Sequence, residues 1–221
     1  MKQSFFEKNL TAKIADHIAS ATPGLQLQVF AQGRKVCDLS IGETYAYYDL
    51  ASLTKVIFTT QAMMQAFEEK KWNLDSKIKE FLPWFQSEAV RVVDVLTHAS
   101  GLPWWYPFFE KLDLKTSRLN RWTETARMIR EMKLDGGKHS VYSDVGFILL
   151  GHVLESFYDK PVLDIWQNLK QEVYARSTLE FHPENVAPYK QSYYAPTERC
   201  QWRHKTIQGE VHDDNTWALG G

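Results

Sequence analysis

Ser52-Leu53-Thr54-Lys55-Val56-Ile57-Phe58-Thr59-Thr60-Gln61-Ala62-Met63-Met64-Gln65-Ala66-Phe67 is the stretch on which the reading of this chain turns. Leu53, Val56, Ile57, Thr60, Met64 and Phe67 recur at helical spacing. They predict an amphipathic helix with that stripe buried, ending where Glu68-Glu69-Lys70-Lys71 meets solvent. Ser52 and Lys55 stand at its start, three residues apart and on one face, so the amine can reach the hydroxyl. The positive end of the helix dipole favours an alkoxide developing on such a serine. A lysine in apolar surroundings loses proton affinity and can act as a base. The same Ser-x-x-Lys spacing occurs at Ser76-Lys77-Ile78-Lys79, inside the charged run Asp75–Glu80. Solvation there would keep the lysine protonated, so Ser76 is expected to be inert.

Working outward, Leu25, Leu27 and Val29 alternate with Gln26 and Gln28, which marks a half-buried strand. Gln32-Gly33-Arg34 supplies a turn, and Val36, Leu39 and Ile41 form the return, so residues 25–41 read as a hairpin. A helix over residues 4–20 precedes it and stops at Pro23-Gly24. After residue 71 strand signals nearly vanish, and residues 90–98, 121–133, 144–157 and 162–174 read as helices. Asp135-Gly136-Gly137 and Asp159-Lys160-Pro161 separate them in pairs. From about residue 185 the helical period fades into a polar-aromatic loop, and the sequence stops at Ala218-Leu219-Gly220-Gly221. One hairpin alone is marginal in water, so the expectation is that late sheet strands are missing from this chain or supplied from elsewhere.

A second candidate element is Tyr142-Ser143-Asp144, just ahead of an apolar helix carrying Phe147, Leu150, Leu154 and Phe157. Ser143 or Asp144 is a natural N-cap. Tyr142 then projects from the loop, where a phenol near an ammonium group can accept the serine proton. Three segments now stand in order: Ser52-Leu53-Thr54-Lys55, then Val95-Leu96-Thr97-His98-Ala99-Ser100-Gly101-Leu102-Pro103, then Tyr142-Ser143-Asp144-Val145-Gly146-Phe147 with Leu149-Leu150-Gly151. Together with Gly209-Glu210-Val211-His212-Asp213-Asp214-Asn215, they resemble the serine beta-lactamase-related family, in its class C branch with penicillin-binding proteins and esterases.

The resemblance implies an α/β fold: a mixed sheet flanked by helices, with an all-helical region inserted between early and late strands. Residues 1–60 would hold the early sheet and the nucleophile helix, 61–190 the helical region, and 191–221 a return toward the sheet. It implies Ser52 as acylated nucleophile, Lys55 and Tyr142 sharing the proton work, and the Ser52 N–H as half of an oxyanion hole. Asp144 stands where the class C pattern usually has asparagine. Its charge would anchor Lys55 and raise its pKa, which weighs against lysine as the base. The family's Lys/His-Thr/Ser-Gly triplet is absent, and Lys205-Thr206-Ile207 lacks the glycine. The implied activity is a serine hydrolase acting on a beta-lactam, an ester or a D-Ala-type peptide. The alternative is a non-catalytic member that binds a cell-wall fragment or a protein partner.

Composition narrows the classes further. Lys plus Arg is 26 and Asp plus Glu 27 in 221 residues, a net charge of -1, which leaves no basic excess for nucleic acid. No apolar run approaches the ~18 residues of a membrane span. Without a signal core after Met1 the sequence reads as cytoplasmic, or as periplasmic or secreted if a leader has been removed. Cys37 and Cys200 have no CxxC partner and read as ordinary thiols; no metal and no cofactor are expected. His98 and His212 read as hydrogen-bonding rather than catalytic or ligating residues. Trp104, Trp105 and Tyr106 lie in the proline-bracketed loop Pro103–Phe109 and are candidates for a substrate wall. Packing of that loop onto the helical region is an equal alternative. An incomplete sheet also invites self-association.

Overall fold

A computed structural model describes residues 5–136, 139–181 and 188–220. Gly137, part of one separator read from the sequence, lies outside them. The chain forms two compact units. One comprises Met1–Asp49, Val186–Arg199 and Thr206–Gly209; the other comprises Leu50–Asn185, Cys200–Lys205 and Glu210–Gly221. The division at 49/50 puts the Ser52 helix in the helical unit.

The smaller unit begins with helix α1 (Phe5–Ala21), followed by strands β1 (Gly24–Ala31) and β2 (Arg34–Gly42). The strands pair antiparallel from Gly24↔Gly42 to Ala31↔Arg34, and α1 packs on β2. Val29 pairs with Cys37 and Phe30 with Lys35, so Val36 is the extra residue of a bulge. The bulge turns Val36 to solvent, while Cys37 and Leu39 are buried. The return segment is not all loop. A 3₁₀ turn (Pro188–Tyr193) delivers Tyr194, whose ring stacks on Tyr47 at 5.0 Å. The Tyr193 carbonyl accepts both the Ala46 and Tyr47 N–H groups at 3.0 Å.

In the larger unit a π-helical segment (Lys55–Thr60) runs into α2 (Gln61–Glu68). Then follow α3 (Ile78–Phe81), α4 (Val92–Leu96), α5 (Phe108–Lys111), α6 (Arg118–Glu131), α7 (Asp144–Tyr158) and α8 (Val162–Val173). Near the end of the chain come two-residue strands β3 (Arg199–Cys200) and β4 (Lys205–Thr206), each with one residue in either unit, and then α9 (Asp214–Leu219). Helix α7 is the axis of this unit, in contact with the π segment, α2, α3, α4, α6 and α8. Its apolar residues run nearly all round, as a central helix requires. Val145, Leu149, Leu150, Val153 and Leu154 are wholly buried. Each contributes about 1.5–3 kcal/mol by leaving water.

The buried face of the nucleophile helix differs from the one its periodicity predicts. Thr59, Ala62, Met63 and Ala66 are buried, whereas Leu53, Val56, Met64 and Phe67 are exposed. Two physical reasons account for this. The π segment has wider turns than an α-helix, which shifts the phase of everything after it. The small residues Ala62 and Ala66 also let α2 approach α7 and α8 closely, so the contact face selects size as well as hydropathy.

Candidate active site

Ser52 sits on a tight turn immediately before the nucleophile helix. Ala51 adopts a left-handed backbone, φ 44°, which is uncommon for a residue with a Cβ. Successive N–H groups of Leu53, Thr54 and Lys55 close three-residue turns onto Leu50, Ala51 and Ser52. The serine is thereby presented at the surface, just ahead of the π segment that begins at Lys55. Lys55 Nζ donates to Ser52 Oγ at 3.0 Å, the reach that the spacing requires.

Lys55 also forms an ion pair with Asp144 Oδ1 at 2.6 Å, and its Nζ lies 5.0 Å from the centroid of the Tyr142 ring. Its side chain is only 15% exposed. Burial alone would lower the lysine pKa. The hydrogen bond and charge of Asp144, with Tyr142 acting in the same direction, outweigh it and hold Lys55 above its ordinary value. That direction favours the ammonium form of Lys55, a hydrogen-bond donor carrying a positive charge.

Tyr142 and Asp144 are held by a cap. Ser143 is the N-cap of α7, and its Oγ accepts from the Gly146 N–H at 3.0 Å while donating to the Pro103 carbonyl at 2.6 Å. The Asp144 N–H donates to the Trp104 carbonyl at 2.9 Å. The Ser100-Gly101 turn is fixed from the other side: Gly101 has φ 76°, its carbonyl accepts from Asp135 N–H at 2.7 Å, and a Cβ there would stand 2.1 Å from the Asp135 carbonyl oxygen. Only glycine fits.

The structure therefore gathers Ser52, Lys55, Tyr142 and Asp144 around one amine. The three aromatic candidates part company. Trp104 is 64% exposed and stacks on Trp105 at 5.9 Å, so its ring is free on a surface beside Asp144. Trp105 and Tyr106 pack against the core. The Tyr106 carbonyl accepts from Asn215 Nδ2 at 2.8 Å, and Asn215 Oδ1 accepts from the Phe109 N–H at 3.1 Å. These two aromatics and Asn215 thus anchor the loop, a tie between residues more than a hundred positions apart that sequence spacing does not disclose. Ser76 differs from expectation too. It is buried rather than solvated, its Oγ accepts from the Asn73 N–H, and Lys79 is paired with Glu88. Cys37 and Cys200 are both buried, and neither is in a disulfide. Among the described residues no cluster suited to a metal ion is present and no helix is long and apolar enough to cross a membrane.

A helical unit built on α7, with a Ser-x-x-Lys turn on one helix facing a Tyr-Ser-Asp turn on another, defines the class of protein. The Beta-lactamase family model matches residues 8–204, and the chain belongs to that family. It is 29% identical to the N-acetylmuramyl-L-alanine amidase of Bacillus subtilis, covering 90% of this chain and 54% of that protein. It is 26% identical to a putative D-alanyl-D-alanine carboxypeptidase of Salmonella paratyphi B, covering 80% of this chain and 46% of that one. It therefore spans about half the length of these relatives. Its fold is that of a D-stereospecific amidohydrolase from Streptomyces, with a TM-score of 0.71 at 17% identity over 97% of this chain and 68% of the other.

Proposed function

We propose that this protein is a serine hydrolase that cleaves an amide or ester through an acyl-enzyme on Ser52. The observation that carries the reading is the placement of one half-buried ammonium, Lys55, against Ser52 Oγ, Asp144 and the Tyr142 ring together. Ser52 Oγ attacks the substrate carbonyl and its proton passes to the Tyr142 oxygen, which takes part as a phenolate with the Lys55 ammonium beside its ring. Tyr142 returns the proton to the leaving amine or alcohol, and water later displaces the acyl group from Ser52. The names of the amidase and carboxypeptidase relatives support an amide in a muramyl or D-Ala-type peptide as the bond attacked, and the exposed Trp104 ring offers a flat face for an adjoining group. Fluorophosphonate treatment of the folded full-length protein should add one adduct, mapped to Ser52 by mass spectrometry. No adduct would reject the reading and favour a binding-only member of the family.

The role of Asp144 has its own test. Because Asp144 raises the Lys55 pKa, the charged lysine persists to higher pH. Asp144→Asn should therefore move the alkaline fall in kcat/KM to lower pH. If neutral Lys55 were the base, the same change would instead raise activity near neutrality, so a pH–rate profile separates the two.

Leu53, Val56, Met64 and Phe67 expose apolar surface to water, and such surface drives association. We expect the 221-residue chain to sediment above monomer mass at micromolar concentration, and Met64→Lys to lower that mass. A monomeric unmodified chain would contradict this.

A further inference from the structure

We propose that His98 is the positioning residue for Tyr142, holding the tyrosine loop from both sides through its own carbonyl and its ring nitrogen. The Val141 N–H donates to the His98 carbonyl at 2.8 Å, and the Ser143 N–H donates to His98 Nδ1 at 3.0 Å. These are the residues immediately before and after Tyr142. The His98 ring also lies against the phenol ring, with centroids 4.6 Å apart and planes 37° apart, and against Phe147 at 5.1 Å. Tyr142 itself is 52% exposed, and besides the His98 ring it meets the Lys55 ammonium, 5.0 Å from its ring centroid.

One backbone conformation makes this double hold available. His98 follows α4 with φ 60°, in the left-handed region, so the chain doubles back and brings both its carbonyl and its ring to residues 141–143. The hydrogen bond from Ser143 also fixes the tautomer. Nδ1 must carry the lone pair, which places the neutral ring's proton on Nε2. A lone pair already occupied by a backbone N–H is a poor proton acceptor for Ser52, so the geometry assigns positioning rather than base catalysis.

The hold depends on a neutral ring. A proton on Nδ1 would face the Ser143 N–H and abolish that bond. The charged and titratable groups facing the imidazole are Lys55 from the nucleophile helix and Asp144 with Tyr142 from the entry of α7; Asp94, on the helix before His98, is engaged by Arg91. Burial and the Lys55 charge favour the neutral ring, against the weaker opposing pull of Asp144.

This inference rests on Tyr142 as the acceptor of the Ser52 proton, so its test carries Tyr142→Phe as a control. The measurement is the rate of fluorophosphonate addition to Ser52 in the full-length protein from pH 5 to 9. His98→Gly keeps the left-handed backbone but removes the acceptor and the ring. His98→Asn keeps an acceptor oxygen, tolerates positive φ and does not titrate. A misplacement on the scale of an ångström costs up to about 100-fold, so H98G should slow labelling about 10- to 100-fold. H98N should recover most of the neutral-pH rate and keep it to lower pH than the unmodified protein does. H98G at the unmodified rate while Y142F is slow would overturn the role of His98. So would a folded H98N as slow as Y142F at every pH, which also decides the matter if H98G fails to fold. An unlabelled parent protein, or Y142F at the parent rate, would instead overturn the reading of Tyr142 and this inference with it.

Discussion

Ser52→Ala is expected to abolish fluorophosphonate labelling and to lower hydrolysis of a p-nitrophenyl ester by about 10⁴-fold or more, with Ser76→Ala within twofold of the parent. Residues that act as a single nucleophilic unit lose nearly all activity when one is removed, and losses near 10⁶-fold in kcat are known for such units. Ser52 is exposed on its turn and accepts from a lysine, whereas Ser76 is buried and closes a turn with its own hydroxyl. The contrast is instructive because both serines begin Ser-x-x-Lys. Lys79 is paired with Glu88, nine residues away, and no tyrosine-bearing helix is placed beside it by the hydrogen bonds and ring contacts described above. Lys55→Met should fall nearly as far as Ser52→Ala, because the Ser52 hydroxyl would lose its donor and Tyr142 its stabilising charge. Folding of each variant is checked by its melting temperature. Persistent turnover by a folded Ser52→Ala protein would place the nucleophile elsewhere.

What could be read from the sequence is what short-range geometry encodes. The Ser52–Lys55 contact follows from three-residue spacing, and it is present at 3.0 Å. The hairpin follows from alternation and a Gly33 turn, and it pairs over nearly the expected span. Helix α7 follows from its cap and its apolar run. The pairing of Asp144 with Lys55 was legible only through the resemblance, since a separation of 89 positions hides it from any periodicity.

What escaped reading depends on phase and on partners. The bulge at Val36 breaks the alternation of β2, and one π segment moved the buried face of the nucleophile helix from Val56 and Met64 to Ala62 and Met63. Hydrophobicity marks which residues prefer burial, but the neighbour that covers them is set by tertiary contact. The compact units divide at 49/50, ahead of Ser52, and the nucleophile helix packs on α7. His98 read as a structural hydrogen-bonding residue, but its left-handed φ and its two bonds around Tyr142 are features no residue spacing reports. A histidine next to Ser100-Gly101 in a loop before a capped helix was the one available signal.

Acid should destabilise the helical unit through His152, the second large effect expected here. The His152 imidazole lies on α7, stacked on Trp122 at 3.8 Å with Trp84 edge-on at 5.7 Å, and its Nε2 has no hydrogen-bond partner among the described residues. Burial pushes its pKa down to about 3, against 6.5 for an ordinary histidine. The sign follows directly. Above pH 6.5 the ring is neutral in both folded and unfolded chains, and the unit has its full stability. Between 6.5 and about 3 the unfolded chain binds a proton that the folded one does not, so stability falls as pH falls. Each pH unit in that window costs at most about 1.4 kcal/mol, a few kcal/mol in total, which is a large part of the ~5–15 kcal/mol that holds an ordinary domain together. Carboxylates such as Asp94, whose pKa is lowered beside Arg91, add to the acid loss only at lower pH. His152→Phe isolates the histidine. It keeps an aromatic ring between the two tryptophans and deletes an unpaired buried nitrogen, so at pH 7.5 it should cost no more than about 1.5 kcal/mol. Urea unfolding at pH 7.5, 6, 5 and 4 should then show a shallower loss in the variant than in the parent, with the gap opening below pH 6.5. Parallel curves would mean that His152 becomes protonated in the folded protein, through a solvent path or local opening around Trp122 that its burial argues against.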